Sequence, residues 1–199
     1  MGYSEYLMKV PNDLVHDLQT TSSIKGLIAI IEKYKLEFDA NICDDGTPYL
    51  NVHSLGEEMY ELGDSFEDED VIKKYSVSLL VGDVEDAYSD YNLRILTKEG
   101  LLSIIESYRN KTIEYYKKLR TNNFDYPLNK DSHMTNLLRS IENKLATFGD
   151  GGRLEYFINL KPNSLLLTES CYYEYAIFNL VAIYKFFDWD NNCLIFYGS

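Results

Sequence analysis

Apolar residues recur at steps of three and four along "TSSIKGLIAIIEKYKL", which predicts a helix with Ile24, Leu27, Ile28, Ile31 and Tyr34 on one face. Ser22 or Ser23 can cap it, because a serine hydroxyl accepts from the unpaired N–H groups of a first turn. A longer run, "LTKEGLLSIIESYRNKTIEYYKKLR", predicts a helix capped near Thr97, with Leu101, Ile104, Ile105, Tyr108, Thr112, Tyr115 and Leu119 forming its apolar side. Another helix is expected from about Ser132 to Phe148, ended by Gly149 in the left-handed position that glycine takes without steric cost. Thr168–Phe187 is apolar nearly all round and predicts a central buried helix.

Shorter apolar runs read as strands: "YSVSLLV", "NLRIL" and the closing "NNCLIFYG". The polar "GDVEDAYSDY" between the first two is a loop or a short helix, and "DDGTPY" carries a turn signal at Asp45-Gly46 and Pro48. "RLEYFINL" fits strand or helix equally. A short acidic helix is expected over Ser54–Leu62, with Leu55, Met59 and Leu62 on one side. The sum is an α+β, helix-dominated single domain over residues 1–199, with a small antiparallel or mixed sheet. No internal repeat or linker divides it.

Composition narrows this picture. A chain of 199 residues with 45% hydrophobic and 14% aromatic content can bury a real core and is not of the disordered class. The 18 tyrosines bring apolar area together with a hydroxyl that needs a partner, so many belong at half-buried or contact positions. Abundant Ile, Asn, Lys, Tyr and Phe with few Ala, Arg and Pro is the bias of an AT-rich coding genome, such as that of a low-GC bacterium or its phage. Cys43, Cys171 and Cys193 are widely spaced and form no C-x-x-C pair, which fits reduced thiols better than a disulfide framework or zinc site. "MGYSEYLMKVP" has no basic region followed by an apolar run, and Tyr6 stands where a myristoylation signal needs Ser or Thr. A cytoplasmic protein without a membrane span is the expectation.

Charge changes the picture most. Residues 1–90 hold 20 acids and 6 bases, a net of −14, whereas residues 91–199 hold 12 acids and 13 bases. From Glu37 to Asp70 there are 12 acids and no Lys or Arg. A surface this negative repels nucleic acid and anionic membrane and attracts cationic surfaces, including those with which other proteins hold nucleic acid. Within "DSFEDEDVIKKY", Asp64 and Glu67 resemble an acidic capping box, and acids early with Lys73 and Lys74 late suit a helix dipole. Glu57, Glu61, Asp64 and Asp68 fall at three- or four-residue steps, and on a helix they would form a ladder roughly imitating alternate phosphates of one strand. The alternative is a solvated face, or one matched by Arg109, Lys111, Lys117, Lys118 and Arg120 of the long helix.

Catalytic signatures are weak. Asp188-x-Asp190-x-Asn192 resembles the start of a calcium loop, but Cys193 replaces the glycine and Ser199 the closing glutamate, so a turn is expected. Asp83, Glu85 and Asp86 follow an expected strand, where a metal-assisted hydrolase could hold Mg²⁺, yet no lysine accompanies them. His16, His53 and His133 are scattered, and "GDGG" at Gly149–Gly152 lacks the G-K-[ST] of a phosphate loop. No cofactor is implied. The leading expectation is a non-enzymatic acidic protein that sequesters a basic partner, namely a nucleic-acid-binding protein, nuclease or toxin, as a phage inhibitor of host defence or an immunity protein does. Its surface would comprise Glu57, Glu58, Glu61, Asp64, Glu67 and Asp68, with Tyr49 and Tyr60 as aromatic anchors. The alternatives are the metal-assisted hydrolase and a structural protein whose tyrosines mediate a homodimer.

Overall fold

The N-terminal stretch, read in the sequence only for a targeting signal, folds as strand β1 (Glu5–Pro11). Tyr6, Met8 and Val10 point to one side of it and Leu7 to the other, with Leu7, Met8 and Val10 all fully buried. Burial on both faces explains why this strand shows no apolar–polar alternation. The computed structural model describes residues 5–39, 47–61, 69–89, 92–123, 132–149 and 172–198. They fall into two compact units, Met1–Gly100 with Asp188–Ser199, and Leu101–Phe187.

In the first unit β1 is followed by α1 (Asn12–Thr20), α2 (Ile24–Tyr34), a hairpin of β2 (Phe38–Asp39) and β3 (Tyr49–Leu50), and a 3₁₀ turn (Val52–Leu55). Then come β4 (Glu57–Glu61), α3 (Glu69–Tyr75), β5 (Val77–Ser78), α4 (Asp83–Ala87) and β6 (Asn92–Leu96), and β7 (Asn192–Gly198) closes the unit. The strands form a five-stranded antiparallel sheet in the order β4-β1-β7-β6-β5, so the α+β class with an antiparallel sheet holds. Leu14, Val15 and Leu18 of α1 and Leu27, Ile30 and Ile31 of α2 pack with Met8, Val10, Leu93, Ile95 and Ile195 in one apolar core.

Ser23 caps α2, its hydroxyl accepting from the Gly26 N–H at 3.3 Å. Within the expected apolar face, Ile28 turns out exposed and Ile30 takes a buried place instead. The strand expected from "YSVSLLV" shrinks to Val77–Ser78, because Tyr75 ends α3. The polar segment before β6 is helical over Asp83–Ala87. The Asp45-Gly46 turn and "RLEYFINL" lie outside the described residues.

Asp17 of α1 clasps α2, accepting from Lys33 Nζ at 2.6 Å and from the Tyr34 hydroxyl at 2.9 Å. The Lys33 bond first, then the Tyr34 bond, holds the Asp17 carboxyl below its usual range. A depressed carboxylate contributes stability at pH above its ordinary range and loses it as pH falls through the lowered value. In an NMR titration Asp17 is therefore expected to protonate at lower pH than exposed aspartates, and Lys33→Met should return it toward ordinary behaviour.

The second unit contains most of α5 (Lys98–Asn123), with α6 (Ser132–Gly149) and α7 (Tyr172–Phe186). The cap at Thr97 is present, its hydroxyl accepting from the Gly100 N–H at 3.0 Å. Leu101, Ile104, Ile105, Tyr108 and Thr112 are buried as expected, but the next position is Tyr116, not Tyr115. The four-residue steps Tyr108, Thr112, Tyr116 follow one ridge of the helix, and Tyr116 packs on Ile141 of α6. α7 is not buried all round, since Ala182, Lys185 and Phe186 are exposed while Ile177, Leu180 and Val181 are buried.

Candidate functional site

Ser54–Leu62 was expected to be helical, and its described residues are not. They form the end of the 3₁₀ turn and strand β4, at one edge of the sheet. Pairing with β1 supplies backbone hydrogen bonds that an isolated acidic helix of this short length would have to generate against a costly nucleus. The helical ladder of Glu57 and Glu61 is therefore absent. At a rise of about 3.3 Å per residue, strand residues four apart stand roughly 13 Å from each other.

The register sets Glu57 opposite Lys9, Glu58 opposite Met8, Tyr60 opposite Leu7 and Glu61 opposite Tyr6. Two residues of β1 thus face three of β4 between Glu58 and Tyr60, which makes Met59 a bulge. Because of it, the positions of Glu58 and Glu61 match Met8 and Tyr6, which share one side of β1, while that of Glu57 matches Lys9 on the other. Glu57, Glu58 and Met59 are exposed. Glu57 Oε2 meets Lys9 Nζ at 3.0 Å, and with the Glu57 side chain 79% exposed this pair contributes about 0–1 kcal/mol.

Gly56 fixes how the strand enters. A Cβ there would lie 2.2 Å from the Lys9 carbonyl oxygen, so only glycine lets the two backbones approach this closely. The β2–β3 hairpin is fastened to the same turn: the Asn51 N–H donates to the Glu37 carbonyl at 3.0 Å, and the Glu37 N–H to the Ser54 hydroxyl at 3.1 Å. The buried Tyr88 hydroxyl anchors it further, accepting from the Leu50 N–H at 3.2 Å and donating to the Pro48 carbonyl. On this hairpin Phe38 is 54% and Tyr49 48% exposed. Phe38 carried no signal in the sequence beyond being an apolar residue among acids, and Met59 was read only as part of a helical apolar side with Leu55 and Leu62.

Asp64, Glu67 and Asp68 lie outside the described residues, and Tyr60 and Glu61 stand on β4 opposite Leu7 and Tyr6. The second half of "DSFEDEDVIKKY" is α3, with Glu69 and Asp70 at its start and Lys73 and Lys74 in its last turn, the order a helix dipole favours. Arg109, Lys111 and Arg120 of α5 have acidic neighbours within their own unit. Arg109 Nη1 bonds Glu106 at 3.0 Å and its Nε donates to the Phe148 carbonyl at 2.9 Å, while Arg120 pairs with Glu142 at 2.8 Å. Burial pushes the Lys111 ammonium down from its usual pKa, with Glu114 opposing the shift. A half-open groove of about 600 Å³ between α5 and α6 is lined by Glu114, Lys117, Arg120, Glu142, Ile113 and Leu145.

Asp83, Glu85 and Asp86 are exposed in the first turn of α4, where the free N–H groups of the helix favour negative charge. Among the described residues no group of three or more His, Cys, Asp or Glu is arranged to hold a metal ion. The "DWDNN" segment is a turn: Asn191 Nδ2 donates to Asp188 Oδ2 at 2.9 Å, and this bond first among several holds the Asp188 carboxyl below its usual range. Cys193 is a half-buried thiol 3.1 Å from Asn12 Oδ1, pushed up in pKa by burial. His53, solitary in the sequence, lies edge-on to the stacked rings of Tyr6 and Tyr197, with centroids 5.4 and 5.6 Å away. No helix among the described residues is long and apolar enough to cross a membrane.

No protein-family model, curated protein or solved structure matches this chain.

Proposed function

We propose that the protein is an acidic binding protein that captures a basic macromolecular partner with β4 and the neighbouring hairpin. The observation that carries this reading is an edge strand with the sequence Glu-Glu-Met-Tyr-Glu, exposed at Glu57, Glu58 and Met59, inside a run of 34 residues from Glu37 to Asp70 that has no Lys or Arg. Apolar residues accompany the charge: Met59 on the strand, and Phe38 and Tyr49 on the hairpin. Charge speeds and orients encounter, while exposed apolar and aromatic side chains supply the contact that becomes buried. A nuclease, a nucleic-acid-binding protein or a cationic toxin is the kind of partner whose own basic surface fits. Inhibition of a defence system or immunity to a toxin would be the biological use.

The test reverses Glu57, Glu58 and Glu61 to lysine together and measures capture from host lysate, then the association rate of the captured partner across a salt series. The on-rate is expected to fall about tenfold or more, with a weaker salt dependence. Reversing Glu32, Glu85 and Asp190 changes net charge equally and should cost much less. Equal losses from the two triple variants would reduce the effect to net charge and remove β4 as the site. An unchanged rate in both would end the electrostatic reading.

A further inference from the structure

We propose that the outer edge of β4 receives an extended basic segment of the partner as a sixth strand of the sheet. The inference rests on the capture of a basic partner proposed above and names the form in which that partner is recognised. An edge strand presents N–H and C=O groups on its outer side, and pairing them with another chain gives recognition that side-chain charge alone does not. Among the described residues no strand pairs with the outer side of β4. The opposite edge of the sheet, β5, is only two residues long, whereas β4 has five. β4 carries no lysine or proline; what blunts it is acidic charge and the bulge at Met59, and the acidic charge turns away another acidic edge rather than a basic strand.

Charge selects the occupant. A second copy of this chain pairing antiparallel through the same edge about Met59 would set Glu57 against Glu61 at both ends of the pair, which is unfavourable for cross-strand neighbours. A basic strand turns each of those positions into an attraction. The bulge at Met59 refines the requirement further. Glu57 stands in register with Lys9 on one side of β1, and Glu58 and Glu61 with Met8 and Tyr6 on the other. Added-strand side chains alternate between faces. The fitting segment therefore has cations at adjacent positions, one for each face, rather than at every second residue. Lys9, which already meets Glu57 from within the sheet, serves as an internal example of the pairing.

The probe is a short acetylated and amidated peptide repeating Lys-Lys-Val, titrated into the intact chain at about 20 mM salt, where exposed charges are weakly screened. Two further peptides carry N-methyl groups on one or the other alternate set of backbone amides, which removes the donors from one edge and leaves every charge in place. Binding of the parent peptide is expected to perturb the amides of Glu57–Glu61, and one methylation pattern should weaken it about tenfold or more. A peptide with lysine at every second position should bind more weakly than the parent. If both methylated peptides bind as tightly as the parent, strand addition is overturned while electrostatic capture stands. Perturbations centred away from β4, or no binding by the parent, also overturn it, and the charge-reversal measurement on the natural partner then decides separately whether the acidic reading survives. Self-association of the chain blocked by Glu58→Lys would overturn the choice of occupant.

Discussion

Gly56→Ala is expected to destabilise the chain by about 1–3 kcal/mol, the cost typical of overpacking, and to loosen β4 from the sheet. The added methyl would lie 2.2 Å from the Lys9 carbonyl oxygen, 2.9 Å from its carbon and 2.9 Å from Val10 Cγ2. Two of those atoms belong to the backbone of β1, a strand paired on both sides, so they cannot turn aside as a side chain could. Backbone dihedral strain is not the cause, because Gly56 has the extended φ of −171° that any residue can adopt. The clash must be relieved by moving β4 outward, which weakens its ladder with β1 and the Lys9–Glu57 contact. Urea denaturation reads the loss of stability, and amide exchange at Glu57–Glu61 should accelerate more than exchange in β7. Gly26→Ala is the contrast. Its Cβ would meet the Thr21 Cγ2 at 2.5 Å, the end of a side chain that can rotate, and in this first helical turn alanine in place of glycine gains part of the about 1 kcal/mol it gains in a helix interior. A near-neutral result there, with a clear loss at Gly56, separates a rigid backbone approach from mere crowding.

The same region marks where the sequence was legible and where it was not. Helices α2 and α5 could be read because each carries its own periodic apolar side and its own cap, as Ser23 and Thr97 demonstrate, and α6 because of its periodic apolar side. Those signals are local, and the structure keeps them with shifts of a residue or so at Ile30 and Tyr116. Strand β1 was not legible, because burial of both faces erases alternation and Lys9 interrupts the apolar run. β4 was misread for a related reason. Leu55, Met59 and Leu62 are spaced as a helix would space them, yet the segment is set by a partner nearly fifty residues earlier in the chain, Lys9 opposite Glu57, and by a glycine whose function is to let that partner close. The acidic composition of the candidate surface was plain from the residues. Its geometry, two faces of a bulged edge strand in place of one helical ladder, depended on pairing that no local pattern encodes.

Arg109→Ala is expected to cost about 1.5–3 kcal/mol, the range for hydrogen bonds made by charged groups, and the loss should concentrate at the C-terminal turn of α6. The Arg109 side chain is only 13% exposed. Its Nε–H donates to the Phe148 carbonyl, one of the last in α6, which has no partner within its own helix, and its Nη1 grips Glu106 one turn back on α5. One side chain thus closes a helix end and joins two helices. Arg109→Lys should recover little, because an ammonium cannot hold the fixed fork of directions that both acceptors require. Arg120→Ala provides the measure of what charge alone is worth on this surface. Arg120 and Glu142 meet at 2.8 Å but are about half exposed, and such pairs contribute roughly 0.2–1 kcal/mol. Urea titrations of the three variants, with amide exchange at residues 145–148, should rank Arg109→Ala well above Arg120→Ala and Arg109→Lys close to it. A cation committed to the Phe148 carbonyl and Glu106 is held within its own unit, so a large cost at Arg109 identifies it as a brace of the α5–α6 pair.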